Sequence, residues 1–244
     1  MFDERVTGLH KRSRHSYKSV NMCEGGNRMR WYTSSLRAIL AGIYVAMGCV
    51  SFVCAENQIL GSFLFSVGLF AIAVFNLPLF TGRVYRVVIA PSERTFVVFF
   101  ELVVTWFANY FGVYLVTTFL RVVRHSDAMI DTCARIANHR LHDGPVGLFI
   151  LGLGCNLILY LAFRAYRERQ DLVGAITMLL LAWLSVVCKL EHSLADGFFL
   201  IMMRTTLAER VKVLLPVALG NGVGAIVPAL LIGRPQKRSD NIVG

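Results

Sequence analysis

The sequence predicts an all-α membrane protein with six transmembrane helices. Of its 244 residues, 56% are hydrophobic and only 16% are charged, whereas soluble domains carry about 25% charged residues. The mean hydropathy is +0.59. The apolar residues also form long segments, each near the roughly 20 residues that a helix needs to cross a bilayer. We therefore expect an integral, multi-pass membrane protein.

Six apolar segments have the required length. They cover residues 36–54, 59–80 with a continuation to 90, 96–120, 145–163, 171–188 with a continuation to 203, and 213–233. This organisation predicts three regions: a cytoplasmic N-terminal segment (1–34), a six-helix transmembrane domain (35–233) and a cytoplasmic C-terminal tail (234–244).

The distribution of positive charge predicts the orientation. Seventeen of the 25 Lys and Arg residues flank one face of the spans and seven flank the other. Because positive residues accumulate on the cytoplasmic side, we expect both termini in the cytoplasm and the protein in the inner or plasma membrane. Topology also explains the net charge of +10, so no nucleic-acid partner is expected.

The six cysteines indicate neither a metal site nor a cofactor. They show no C-x-x-C or other metal-ligand spacing, and several lie in apolar spans. We expect them to be small buried residues.

Two interruptions at membrane depth indicate a pathway through the protein. "NLPLFTGR" (76–83) interrupts the second span and "EHSLADG" (191–197) interrupts the fifth. Non-helical backbone at this depth is tolerated only where protein or a water-filled cavity covers its polar groups. The paired breaks therefore predict a substrate path between them; the alternative is a structural bundle with two ordinary kinks.

An internal correspondence at an offset of 112 residues relates the two halves of the chain. The matched pairs are Gly42 with Gly154, Thr81 with Ser193, Asn109 with Asn221, and Gly112 with Gly224. Each half holds three spans, and because three is odd, the second half must enter the membrane in the opposite direction. The sequence thus predicts a 3+3 inverted repeat with broken second and fifth helices.

One short element lies in each span. The elements are "RAILAGIYVAMG" (37–48), "LFTG" (79–82), "ANYFG" (108–112), "LGLGCNLILYLA" (151–162), "KLEHSLAD" (189–196) and "LGNGVGA" (219–225). In this order they resemble the formate/nitrite transporter family, whose fifth span carries a G-F-E-H-S-x-A-N motif. Lys189, Leu190 and Asp196 stand where that motif has Gly, Phe and Asn.

The resemblance implies an aquaporin-like six-helix protomer in a lipid bilayer. It further implies a homopentamer with one pore in each protomer, conducting small monovalent anions or their weak acids, such as formate, nitrite or hydrosulfide. Small residues such as Ala41, Gly42 and Gly48 permit the close helix packing that such an assembly needs.

Five residues at the breaks are candidates for the pore itself. A bare anion cannot cross an apolar constriction unless it is neutralised or coordinated. His192 suits this task, because a histidine pKa of about 6.5 allows proton exchange near neutrality. Glu191 would orient it or stabilise the break. By the resemblance, Leu79 and Phe80 narrow the cytoplasmic side, and Thr81 offers its hydroxyl to the substrate.

Four further residues complete the candidate pore. Phe65 is either a wall on the other side or ordinary packing. Asn221 is expected mainly to hold the break, and Asn156 to serve as pore lining or as an interhelical hydrogen-bonding group. Arg140 stands where family members have a vestibule lysine; it stays positive but cannot donate a proton.

Lys189 and Asp196 are the departures that bear on selectivity. Lys189 lies three residues before His192, so on a helix the two would share a face. There it would recruit anions and oppose protonation of the histidine, unless its stem carries the amine out to water. Asp196 introduces a carboxylate where the family has an amide.

Two other classes of function compete with a channel. Glu191 and His192 could serve an intramembrane enzyme as acid and base, but the sequence has no H-E-x-x-H or G-x-S-x-G motif. We therefore expect no enzymatic activity. A nonconducting structural or sensor homologue stays open because of the motif departures.

Overall fold

The computed structural model describes residues 33–123 and 127–233, and within them it contains helices and no strands. The helices are α1 (Thr33–Cys54), α2 (Gln58–Val74), α3 (Phe80–Arg83), α4 (Arg86–Ile89), α5 (Thr95–Val123), α6 (Asp127–His142), α7 (Pro145–Glu168), α8 (Leu172–Val187), α9 (Ser193–Met202) and α10 (Leu207–Ile232). The predicted tail 234–244, and all but two residues of the predicted segment 1–34, lie outside the described residues.

Four helical stretches are long and apolar enough to cross a membrane. They are Thr33–Cys54, Ser92–Val122, Pro145–Glu168 and Leu207–Ile232, and they match the predicted first, third, fourth and sixth spans. Large apolar side chains on their outer faces are exposed, as Phe96 (78%) and Phe107 (61%) of α5 illustrate. Such surfaces are stable only against lipid or another apolar surface, so the protein is an integral membrane protein.

The predicted second and fifth spans are each built from two helices. Helix α2 ends at Val74 and α3 begins at Phe80; likewise α8 ends at Val187 and α9 begins at Ser193. Pro78 lies inside the first break, where its missing N–H cannot interrupt a helical ladder.

Helix α6 was not expected, because the sequence between the third and fourth spans is polar enough to be taken for a loop. It is amphipathic: Met129, Cys133 and Ala137, spaced at four residues, are buried. This stripe packs α6 against the main apolar core, to which every long helix contributes. The four-residue spacing of these buried residues could be seen in the sequence. It involves only three residues, however, and is a weaker signal than the long apolar segments of the transmembrane spans.

The small residues of α1 pack inside the protomer, which corrects the expectation that they serve contacts between protomers. Ala41 and Gly42 are buried in the single chain. A Cβ atom on Gly42 would meet the backbone oxygen of Asn109, and one on Gly48 would lie 3.2 Å from the Phe65 ring. These contacts leave no room for a larger side chain.

Glycines also bring two pairs of long helices into backbone contact. A Cβ atom on Gly112 would meet the backbone oxygen of Ile39, which joins α5 to α1. A Cβ atom on Gly224 would meet the backbone oxygen of Leu153, which joins α10 to α7. The glycine of each N-x-x-G element therefore lies at a close backbone contact between two long helices.

The cysteines divide into two groups. Cys49, Cys133 and Cys155 are buried as expected, whereas Cys54 and Cys188 are exposed, and all five are free thiols. Cys23 lies outside the described residues. Within the described residues, no cluster of three metal-ligating side chains is present.

Candidate functional site

The two breaks begin with the same backbone motif. At the end of α2, Asn76 has a φ of 48° and Leu77 donates its N–H to Ile72 O at 2.9 Å. At the end of α8, Lys189 has a φ of 54° and Leu190 donates its N–H to a backbone oxygen five residues earlier at 3.2 Å. Both are left-handed C-terminal caps of the Schellman type.

The position of Lys189 explains why the family motif has glycine there. Glycine adopts a left-handed φ without strain, whereas other L-residues do so at a cost of about 1 kcal/mol. The structure also corrects one expectation: residues 188–192 are not helical, so Lys189 and His192 do not share a helix face. The Lys189 side chain is exposed and His192 is buried.

Asn109 of α5 holds the first break. Its side-chain Oδ1 accepts the Phe80 N–H at 2.9 Å. Its Nδ2 donates to Pro78 O at 2.8 Å and to Ala38 O at 2.7 Å. One buried amide thus satisfies a backbone group of the break and one at the start of α3, and ties both to α1.

Asn221 of α10 holds the second break in the same way. Its Oδ1 accepts the Ser193 N–H at 3.1 Å, and its Nδ2 donates to Glu191 O at 3.0 Å and to Gly152 O at 2.8 Å. By these contacts Asn221 is the counterpart of Asn109. Ser193, however, is the counterpart of Phe80. The constant offset of 112 residues had paired Ser193 with Thr81, which is one residue further along the chain.

The histidine and the threonine of the two breaks meet directly. His192 Nε2 lies 3.1 Å from Thr81 Oγ1, and both residues are buried. His192 Nδ1 is buried and has no hydrogen-bond partner among the described residues. The second imidazole nitrogen is therefore available to another molecule.

Asn156 of α7 joins the two breaks from the side. Its Nδ2 donates to Thr81 O at 3.2 Å and to Asn221 O at 2.6 Å, whereas its Oδ1 is buried without a partner in the described part of the chain. Gly154, which the constant offset pairs with Gly42, instead faces the Leu190 side chain. Asn156 takes the place of Gly42, since both contact the backbone oxygen of the anchoring asparagine.

Arg140 at the end of α6 binds two carboxylates of the second break. Its Nε and Nη2 lie 2.7 Å from Glu191 Oε2, and its Nε lies 2.7 Å from Asp196 Oδ1. Glu191 is 7% exposed and Asp196 is fully buried, and the guanidinium also lies 5.1 Å from the Phe199 ring centre. Burial lowers the pKa of Arg140, but Asp196 and Glu191 raise it by more, so the net shift is upward and the guanidinium stays charged.

This cluster connects two departures that the sequence left separate. Arg140 replaces the family lysine and Asp196 replaces the family asparagine, and the two new side chains are bonded to each other. Counted with Glu191, the cluster joins one guanidinium to two buried carboxyl groups. Asp196 Oδ2 is buried with no hydrogen-bond partner among the described residues, so its second oxygen is free of the arginine.

The remaining candidates are apolar. Leu79 is 1% exposed and lies directly before α3, whereas Phe80 is half-buried against the smaller core cluster that includes Tyr85 and Tyr160. Phe65 is buried in α2, packed against Gly48 of α1.

Two contacts near the site were not expected from the sequence. Trp106 Nε1 donates to Ser193 Oγ at 3.2 Å and its ring stacks on Tyr110 with 5.4 Å between centres. Nothing in the linear spacing of an aromatic residue in an apolar span distinguishes such a partner from lipid contact.

The chain is similar to known proteins in both sequence and fold. A sequence model of the family described as "Formate/nitrite transporter" matches residues 16–233. Among solved structures, the chain is similar to a "Pentameric formate channel with formate bound", with a TM-score of 0.70 and 23% identity over 84% of this chain and 96% of that one. It is also similar to an "FNT family ion channel", with a TM-score of 0.69 and 17% identity over 93% and 98% of the two chains. No curated protein sequence matches the chain.

Proposed function

The chain belongs to the formate/nitrite transporter family, and from this membership we propose that it conducts small monovalent anions or their conjugate weak acids, such as formate, nitrite or hydrosulfide. The matched family and the similar structures are transporters and channels, which favours transport over catalysis. The resemblance found in the sequence is confirmed by the family match.

The observation that carries the proposal is the contact between His192 and Thr81. It joins the two breaks at 3.1 Å and leaves one imidazole nitrogen without a partner among the described residues. Buried polar atoms are normally hydrogen-bonded, so a free Nδ1 between two broken helices supports a binding position for a small polar solute.

A weak acid gains two things at this position. A neutral imidazole both donates and accepts hydrogen bonds, so it can replace part of the lost hydration. As a group that can bind and release a proton, the imidazole can also pass one to the anion and spare it the cost of crossing the apolar wall as a charge. The N-terminus of α9, which begins at Ser193, adds partial positive charge beside the histidine.

The other candidates take supporting parts in this proposal. Leu79 and Phe80 narrow the path on one side of the histidine and Phe65 on the other. Asn156 offers its unpartnered Oδ1 to a protonated solute, and Asn221 maintains the backbone around it.

The charges of the second break set the conditions for entry. Glu191 and Asp196 both bind Arg140, so an approaching anion meets a paired guanidinium rather than a free cation. This favours passage of the neutral acid on that side. Lys189 is exposed, and its part is limited to attracting anions at the protein surface.

The assembly and topology complete the proposal. We place the two halves in a 3+3 inverted repeat, with termini and flanking segments 1–34 and 234–244 in the cytoplasm and 35–233 as the transmembrane domain. The similar formate channel is pentameric, and the exposed apolar faces of the long helices support an analogous homopentamer surrounded by lipid. Fivefold symmetry in images of the detergent-solubilised protein is the expected result; a stable monomer or trimer contradicts it.

Flux into liposomes tests the function. The purified protein is expected to conduct formate, nitrite or hydrosulfide down a concentration gradient, faster at acidic pH. His192→Asn should assemble normally but lose most of that pH dependence, whereas His139→Asn, whose side chain is 86% exposed, should behave as wild type. Wild-type rates and pH profiles in His192→Asn would remove the proposed role.

The same experiment separates the alternatives. A folded protein that passes none of the three solutes is the nonconducting homologue. Chemical conversion of a solute without flux identifies an enzyme built on Glu191 and His192.

A further inference from the structure

A small cavity lies beside the first break, and Leu79 forms part of its wall. It measures about 30 Å³, which is room for two waters or an ion of about three heavy atoms. Its lining includes Asn76, Leu79, Gly82, Arg83, Tyr166 and Arg167. None of its lining residues is acidic.

Arg167 is only partly satisfied in this cavity. Its Nη1 donates to Gly82 O at 3.0 Å, and its guanidinium carbon lies 4.8 Å from the Tyr85 ring centre. Its Nε and Nη2 are buried and have no hydrogen-bond partner within the described ranges. Buried guanidinium donors without an acceptor are costly, because they have lost their hydration.

Carboxylates near the cavity do not neutralise this charge. The adjacent Glu168 is bound to Arg164, with Oε1 at 2.8 Å from Nε. Arg83, the second cation of the lining, is half-buried, and in residues 33–123 and 127–233 no hydrogen bond or ion pair to a carboxylate involves it. This contrasts with Arg140, which two carboxylates hold.

We propose that Arg167 and Arg83 form a binding site for a small monovalent anion at the Leu79 end of the path. The unpartnered Nε and Nη2 of Arg167 form a two-donor edge suited to a carboxylate such as formate or to nitrite, and Arg83 adds a second charge. The cavity is too small for a phosphate ester. This site deepens the proposed function and rests on it, since it assigns to this mouth the recruitment of anions that Arg140 does not perform.

The test is equilibrium binding of ¹³C-formate to detergent-purified protein, followed by NMR line broadening. All variants carry His192→Asn, so that the central position does not dominate the signal. Arg167→Gln and Arg83→Gln should each weaken the apparent Kd by about tenfold or more. Arg169→Gln is the matched control, because it removes the same charge from the same helix end, where the side chain is 59% exposed; it should change Kd less than about twofold.

Several outcomes decide the proposal. Equal losses in Arg169→Gln and Arg167→Gln overturn it, as does unchanged binding in both cavity variants. Displacement of formate by inorganic phosphate as readily as by nitrite also overturns it, since the site then recognises phosphate or lipid headgroups. If Arg167→Gln does not fold, Arg83→Gln decides alone. If wild-type liposomes show no flux but the binding pattern holds, this inference stands and the proposed function fails.

Discussion

The first and second breaks share one scaffold but differ in the chemistry they carry. Each follows a left-handed helix cap, and each is tied by one buried asparagine that accepts an N–H at the start of the next helix. The first break presents Leu79, Phe80 and Thr81, none of which is charged. The second presents Glu191, His192 and Asp196, with Arg140 bound to its carboxylates.

This difference separates support from chemistry. Because Asn109 satisfies the first break without any ion pair, the charges of the second break are not required to hold a broken helix in the membrane. These charges are additional to the scaffold. Two of the charged residues, Arg140 and Asp196, depart from the family pattern, and they bond to each other. Functional properties specific to this chain are therefore expected at the second break. They are also expected from Arg83 and Arg167 beside the first break, which no carboxylate of the described residues binds.

The largest effect is expected from removing Arg140, the cation that binds the carboxyl groups of the second break. Arg140→Met leaves two buried carboxylates without their partner, which should destabilise the protein by about 3–5 kcal/mol. Thermal unfolding in detergent measures this against Arg135→Met, an exposed arginine on the same helix. Equal unfolding temperatures for the two variants would show that Arg140 does not stabilise the buried carboxyl groups of Glu191 and Asp196.

The shared scaffold predicts losses of equal size at the two breaks. Asn109→Ala and Asn221→Ala each remove three hydrogen bonds to backbone groups, which should cost about 3 kcal/mol. Asn138→Ala on the exposed face of α6 should be nearly neutral. A loss confined to one of the two asparagines, measured in the same unfolding assay, would break the comparison.

A smaller effect is expected from restoring the family amide at the second break. Asp196→Asn keeps one hydrogen-bond acceptor for Arg140 and exchanges a buried carboxyl group for an amide of the same size, so stability should change by less than about 1 kcal/mol. Formate flux at neutral pH should rise about threefold to tenfold, because an amide at this position cannot carry a negative charge that repels the anion. Asp143→Asn, at the end of α6, is the control and should leave flux unchanged.

The smallest effect on flux is expected at the two helix caps. Lys189→Gly should stabilise the protein by about 1 kcal/mol, since it relieves a left-handed lysine. Asn76→Gly should gain only a few tenths of a kcal/mol, because asparagine already tolerates that conformation. Flux should change less than about twofold in both. A change in anion selectivity in Lys189→Gly would instead place the amine on the path.

The spans, the breaks and the asparagine of each N-x-x-G element could be predicted from the sequence, because they depend on local composition. Apolar length identifies spans, and glycine or proline beside polar residues marks where a span is interrupted. The pairing of Asn109 with Asn221 followed from the same reasoning, and in the structure the two side chains make equivalent contacts.

What could not be predicted depends on contacts between distant residues. Nothing in the sequence connects Arg140 to Asp196, 56 residues later, and the helix that carries Arg140 is too polar to stand out beside the spans. The prediction that Lys189 and His192 share a helix face was wrong, because α8 ends at Val187 and helical spacing does not hold beyond it. The constant offset failed at Gly42, since the first helix of each half is shifted by two residues relative to its partner asparagine.

The backbone contacts at Gly112 and Gly224 limit how this protein can move. Where one helix touches the carbonyl oxygens of another, a slide of one residue would drive a side chain into that backbone, so α1 with α5 and α7 with α10 behave as rigid pairs. Gating by a rearrangement of the long helices is thereby disfavoured. For the proposed path, this leaves opening to rotations of a few side chains at the breaks, such as those we assign to Leu79 and Phe80, which would occur without unpacking the long helices.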